Sequence, residues 1–88
     1  MLEIRLAMWQ MLVEGGMLER NLERAESMIR EASDKNCEII VLPECLDVGW
    51  TDPRAVELAR EIPGETSKRI CQAAKKNRIM VVAGLTEL

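Results

Sequence analysis

The sequence contains no histidine, phenylalanine or tyrosine, and its aromatic residues are two tryptophans among 88 residues. A core without aromatic rings must be filled by aliphatic side chains and methionine, so we expect an interior built of small parts. The three cysteines include no Cys-x-x-Cys pair, and histidine, a frequent metal ligand, is missing. The sequence therefore predicts neither a metal site nor a framework of disulfides.

Long apolar runs and a surplus of basic charge are also missing. No stretch approaches the roughly 20 consecutive apolar residues that a transmembrane helix needs, and the amino terminus does not resemble a signal peptide. The 12 basic and 15 acidic residues are mixed along the chain, with a net charge of -3. This pattern argues against nucleic acid or an anionic membrane as a partner, and we expect a cytoplasmic protein that binds a small molecule.

A glycine pair, Gly15-Gly16, follows the first apolar run, where nucleotide-binding proteins often have a phosphate-binding loop. Neither the G-x-G-x-x-G nor the G-x-x-x-x-G-K-[ST] pattern is present around this pair. We therefore interpret the pair as a turn and predict no nucleotide cofactor, or any other cofactor.

Three short, mostly apolar runs, at residues 4–9, 39–42 and 79–83, predict strands. An amphipathic helix is predicted at 18–35, and two shorter helices are predicted at 53–60 and 66–76. Strands that alternate with helices indicate a β-α-β-α-β segment of an α/β fold with mostly parallel pairing. Right-handed crossovers would place these helices on one face of the sheet, although the runs predict strands buried on both faces. The second face is therefore expected to need a partner.

Glu44 is the candidate catalytic residue. The run at 39–42 is followed by Pro43, which cannot donate to a sheet ladder, so Glu44 should lie just beyond the carboxyl end of a strand. Ligands and catalytic groups collect at that edge of open α/β sheets. The alternative for Glu44 is a solvated or capping acid, which is the more frequent role of a lone carboxylate at a strand end.

Cys45 should point away from Glu44, because neighbouring residues of an extended segment point to opposite sides. Trp50 could line a pocket or pack against the loop.

Several segments together resemble the amino-terminal part of the nitrilase superfamily, the carbon-nitrogen hydrolases. In chain order they are residues 4–10, Asn21-Leu22, 41–44, Gly49-Trp50, Pro63-Gly64, 73–77, 81–84 and Glu87. The resemblance implies an α-β-β-α sandwich and a Glu-Lys-Cys triad in which the cysteine attacks an amide or nitrile carbon. Glu44 matches the general base of that triad.

The lysine and cysteine motifs of the family have no match in this sequence and are expected further along a chain than Leu88. None of Lys35, Lys68, Lys75, Lys76 or Cys45 fits them. Residues 1–88 are therefore expected to be the amino-terminal portion of a single carbon-nitrogen hydrolase domain, inactive alone. As part of a homo-oligomer, that domain would cleave a small amide, nitrile or carbamoyl compound. The alternative is a non-catalytic α/β module that self-associates or binds a protein partner.

Overall fold

A computed structural model describes residues 3–88, and within this range it contains three strands and three helices. In chain order they are β1 (Leu6–Met8), α1 (Leu18–Asp34), β2 (Ile39–Val41), α2 (Ala55–Leu58), α3 (Glu65–Asn77) and β3 (Met80–Val82). The predicted alternation of strands and helices is confirmed. None of these helices is long and apolar enough to cross a membrane.

The three strands form one parallel sheet in the order β1-β2-β3. Ile40, at the centre of β2, pairs with Ala7 of β1 and with Val81 of β3. Parallel neighbours need a crossover between them, and α1 and α3 lie in the two crossovers. The carboxyl ends of all three strands therefore lie at the same edge of the sheet.

The ends of the helices follow the sequence signals in part. Asn36 has a positive φ of 62° just after α1, as a helix-ending asparagine should. Ser67 stabilises the start of α3, because its hydroxyl accepts the N–H of Gly64 at 2.9 Å. Arg78 (φ 53°) takes the left-handed position after α3. The predicted bounds of α2 were wrong, because this helix covers Ala55–Leu58 rather than 53–60.

The core lies between one face of the sheet and helices α1 and α3. Its fully buried side chains include Ile29 of α1 and Ile40 of β2, each with 0% exposure. Arg69 of α3 links the two helices on the solvent side. It donates to both carboxylate oxygens of Glu26 at 2.8 and 3.0 Å, and to Glu19 at 2.7 Å. Hydrogen bonds to these carboxylates raise the pKa of Arg69 above its usual value.

The opposite face of the sheet is apolar and uncovered. Its most exposed side chains, on β1 and β3, are Leu6 (49%), Met8 (77%), Met80 (63%) and Val82 (51%). The prediction that the strands are buried on both faces is therefore wrong for this chain, because α1 and α3 cover only the face that includes Ile40. The expectation that the helices would cover a single face of the sheet is confirmed.

Residues 1–88 produced on their own are expected to self-associate or to bind a hydrophobic dye, because an exposed apolar sheet face is unfavourable in water. The double variant Met8→Lys/Met80→Lys places two charges on that face and should reduce both effects. Sedimentation velocity and dye fluorescence measure them. Val56→Lys is the matched control, since Val56 lies on α2 and is 79% exposed. A wild-type chain that is monomeric and binds no dye would contradict this prediction.

Candidate active site at the carboxyl edge of the sheet

Glu44 lies where the sequence placed it, immediately beyond the carboxyl end of β2. The N–H of Leu42 still donates to the carbonyl oxygen of Val82 at 2.9 Å, which extends the pairing with β3 by one residue. Pro43 has no N–H, and the chain then enters a turn that spans residues 44–48. Glu44 is the first residue of this turn and is exposed. Its carboxylate is therefore open to solvent at the edge where the three strands end.

Gly84 holds the backbone on both sides of Glu44. Its N–H donates to the carbonyl oxygen of Pro43 at 3.4 Å, and its carbonyl accepts the N–H of Leu46 at 3.1 Å. A Cβ atom at position 84 would lie 2.6 Å from the Cα of Glu44 and 3.1 Å from its Cβ. Only a glycine lets these two backbone segments approach so closely. The segment after β3 therefore fixes the position of the turn that carries Glu44.

Cys45 has a backbone conformation that differs from the sequence expectation. The expectation assumed an extended segment, but Cys45 has a φ of 49° and lies in the turn. The turn is closed by the N–H of Gly49, which donates to the carbonyl oxygen of Cys45 at 2.9 Å. Within residues 3–88 no side-chain hydrogen bond joins Glu44 to the Cys45 thiol. The expectation that Glu44 and Cys45 lie on an extended segment, and for that reason point to opposite sides, was therefore wrong.

Asp47 is a buried carboxylate that sequence reasoning missed. It is 2% exposed, between the fully buried Leu46 and Val48. It accepts the backbone N–H of Val48 at 3.0 Å, and the N–H and hydroxyl of Thr86 at 3.0 and 3.1 Å. These donors satisfy the carboxylate without a cation. Asp47 therefore ties the turn after β2 to the segment after β3, close to Gly84.

Asn21 of α1 was also missed as part of the site. It is fully buried, and its amide nitrogen donates to the carbonyl oxygens of Asp47 and Glu14 at 2.7 and 2.8 Å. Its amide oxygen accepts the N–H of Glu14 at 2.9 Å. A signal was present in the sequence, because Asn21 falls three residues after Leu18 and four before Ala25 on the apolar side of the helix. A polar residue in that stripe indicates a buried hydrogen-bond partner.

Glu14, in the loop between β1 and α1, takes part in an ion pair next to this network. Its carboxylate accepts from Arg24 at 3.0 Å and from Arg20 at 3.3 Å. The hydrogen bond from Arg24 is the main cause that lowers the pKa of Glu14. The loop that accepts the hydrogen bonds of Asn21 is therefore fastened to α1 by charged side chains as well.

The glycine pair forms a turn, as predicted. Gly16 has a φ of 70°, and its N–H donates to the carbonyl oxygen of Val48 at 2.8 Å. That amide is therefore engaged with the protein and does not form part of a phosphate cradle. The Arg54 side chain lies against Gly16 and donates to the carbonyl oxygen of Gly15 at 3.0 Å.

Trp50 is 80% exposed, so the alternative that its indole packs against the loop is wrong for this chain. The alternative that the ring lines a pocket stays a prediction.

No cluster of three or more metal-ligating side chains is found in the described part of the chain, residues 3–88. The site as described is one exposed carboxylate on a backbone held by Gly84, Asp47 and Asn21. Such a carboxylate can accept a proton from a group placed opposite it.

Known proteins of one family resemble almost the whole chain. The sequence profile of the carbon-nitrogen hydrolase family matches residues 5–88. An omega-amidase NIT2 of Xenopus tropicalis is 38% identical over 84 residues, which cover 96% of this chain and 30% of that protein. A nitrilase of Pyrococcus abyssi is 36% identical over 73 residues, 78% of this chain and 28% of its own length. The chain thus spans less than a third of these relatives.

Proposed function

Since the chain belongs to the carbon-nitrogen hydrolase family, we propose that it is the amino-terminal portion of a hydrolase domain that cleaves non-peptide carbon-nitrogen bonds. Glu44 is its general base. The observation that carries this proposal is the exposed carboxylate of Glu44 at the carboxyl edge of a parallel sheet, on a backbone that Gly84 holds from both sides. A base carried on a backbone held in this way suits proton transfer, because general-base efficiency depends on position first.

The chemistry that we propose needs a lysine and a nucleophilic cysteine from outside residues 1–88. Glu44 accepts the thiol proton while the sulfur forms a bond to the amide carbon, since the thiolate is the competent nucleophile. The carbon-nitrogen bond then breaks, the nitrogen takes up the proton and ammonia leaves, which gives a thioester. Water attacks the thioester and passes a proton to Glu44. The carbon-sulfur bond breaks, the proton on Glu44 returns to the cysteine sulfur, and the acid is released.

Small terminal amides are the substrate class we favour, because the relatives include omega-amidases from several vertebrates as well as a nitrilase. We further propose a cytoplasmic enzyme that forms a homo-oligomer. The uncovered sheet face supports a layered arrangement, since the second layer of the α-β-β-α sandwich implied by the family would cover Leu6, Met8, Met80 and Val82.

Substrate assays on the complete gene product, meaning the whole polypeptide that carries residues 1–88, test the proposed function. Small terminal amides should release ammonia and the acid in equal amounts, faster than nitriles or carbamoyl compounds of matched size. Ammonia and acid are quantified separately, so that a contaminating deaminase, which would not yield the acid, is recognised. Absence of turnover with all three classes would rule out the proposed hydrolase.

Residues 1–88 on their own are expected to show no turnover, because a general base without its nucleophile cannot form the thioester. Ammonia release from the isolated chain and from the complete gene product is compared at equal molar concentration. Turnover by the isolated chain that disappears in Cys45→Ser would contradict this expectation and identify Cys45 as a nucleophile.

A non-catalytic module is the second candidate, and the uncovered apolar sheet face favours it. The assays above separate the two. A complete gene product that is inactive but associates through Met8 and Met80 would support the module.

A further inference from the structure

We infer that Gly84 is a positioning residue for Glu44, and that the buried Asp47, hydrogen-bonded to the half-buried Thr86, holds Gly84 in place. The inference rests on the proposed function and adds to it the residues that determine where the base stands. Its starting point is the backbone of Gly84, which bonds Pro43 on one side of Glu44 and Leu46 on the other.

The approach of Gly84 to Glu44 leaves no room for a side chain. A Cβ at position 84 would lie 2.6 Å from the Cα of Glu44 and 3.3 Å from the backbone nitrogen of Cys45. Both neighbours are main-chain atoms, which cannot rotate away as the tip of a flexible side chain can. A methyl group at this position must therefore displace Glu44, Gly84 or both.

Asp47 and Thr86 explain why the segment of Gly84 does not simply move away. Thr86 lies two residues after Gly84 and donates its N–H and its hydroxyl to the buried carboxylate of Asp47. Asp47 belongs to the turn that begins at Glu44, and Asn21 of α1 donates to its carbonyl oxygen. The turn and the segment after β3 are thus joined at two places, Gly84 and Thr86, with Glu44 at the open end.

A general base that is displaced without being removed loses rate rather than substrate affinity. Misplacement by about 1 Å can cost on the order of a hundredfold in rate. The loss of an interaction that is made only in the transition state lowers kcat and kcat/KM together. Gly84→Ala is therefore expected to lower kcat of the complete gene product by about 10- to 100-fold and to leave KM within about threefold.

Ile79→Val is the matched control for Gly84→Ala. Ile79 is buried at 6% exposure beside the opposite, amino end of β3. Removing one methylene group from this side chain destabilises the core but leaves the contacts of the turn that carries Glu44 unchanged. Both variants are assayed at a temperature at which each is fully folded. If Gly84→Ala loses no more kcat than Ile79→Val, Gly84 is only a structural residue and the inference is wrong.

Hydrogen exchange supplies a readout that does not depend on turnover. Asp47→Asn replaces one accepting oxygen by a donor and should speed amide exchange in the peptide that contains Leu46 and in the peptide that contains Gly84. Asp34→Asn is the control, because Asp34 is exposed at the end of α1. Unchanged exchange in Asp47→Asn overturns the role of Asp47 and Thr86.

A wild-type gene product without turnover overturns the proposed function, and with it the catalytic part of this inference. An active wild type whose Gly84→Ala variant behaves like Ile79→Val overturns the inference alone.

Discussion

Glu44→Gln is expected to lower turnover of the complete gene product by about two to four orders of magnitude, the range typical of general-base assistance. We expect the upper end, because the same carboxylate prepares the nucleophile and activates the water. Glutamine keeps the shape of the side chain but cannot take up the proton. Steady-state ammonia release measures the effect, and the residual rate should not recover at higher substrate concentration.

The fold should tolerate this change. Glu44 is exposed in a turn, and within residues 3–88 no hydrogen bond that holds this turn involves the Glu44 side chain, so we expect the free energy of unfolding to change by less than about 1 kcal/mol. Glu38→Gln is the matched control, since Glu38 is an exposed carboxylate just before the amino end of the same strand. If Glu44→Gln unfolds the protein, or keeps most of the activity, Glu44 is a structural acid.

The sequence was sufficient to predict the order of strands and helices along the chain and the place of the candidate base in the fold. Apolar runs and helical spacing are local signals, so β2, α1 and α3 were predicted within a few residues of their observed bounds. Pro43 then located Glu44 at the carboxyl edge, because a proline cannot continue the ladder. The uncovered face followed from the same reasoning, since helices in parallel crossovers cover one face of so small a sheet.

The contacts that hold Glu44 were not predictable by the same reasoning, because they join segments distant in sequence. Gly84 meets Glu44 across 40 positions, and Asp47 meets Thr86 across 39. Asp47 is buried, whereas most carboxylates in proteins are exposed. Its burial depends on donors from another strand end, which no local pattern specifies. The left-handed conformation of Cys45 likewise results from turn closure rather than from residue preference.

Leu42→Ala is expected to have the opposite effect to Glu44→Gln, a large loss of stability with little loss of activity per folded molecule. Leu42 is 5% exposed and belongs to the core cluster beneath α1. Removal of a buried leucine side chain costs about 2 to 5 kcal/mol, because the cavity closes only in part. Leu42→Met is the matched control, since it conserves volume and should cost less than about 1.5 kcal/mol.

Activity should survive in Leu42→Ala because the hydrogen bonds that place Glu44 do not depend on the Leu42 side chain. The N–H of Leu42 to Val82, the carbonyl of Pro43 to Gly84 and the N–H of Leu46 to Gly84 do not involve the leucine side chain. Thermal unfolding gives the loss of stability, and turnover is measured at a temperature where the variant is folded and is scaled to the folded fraction. A variant that is fully folded yet loses activity to the extent expected of Glu44→Gln would show that core packing under β2, and not Gly84, determines where the base stands.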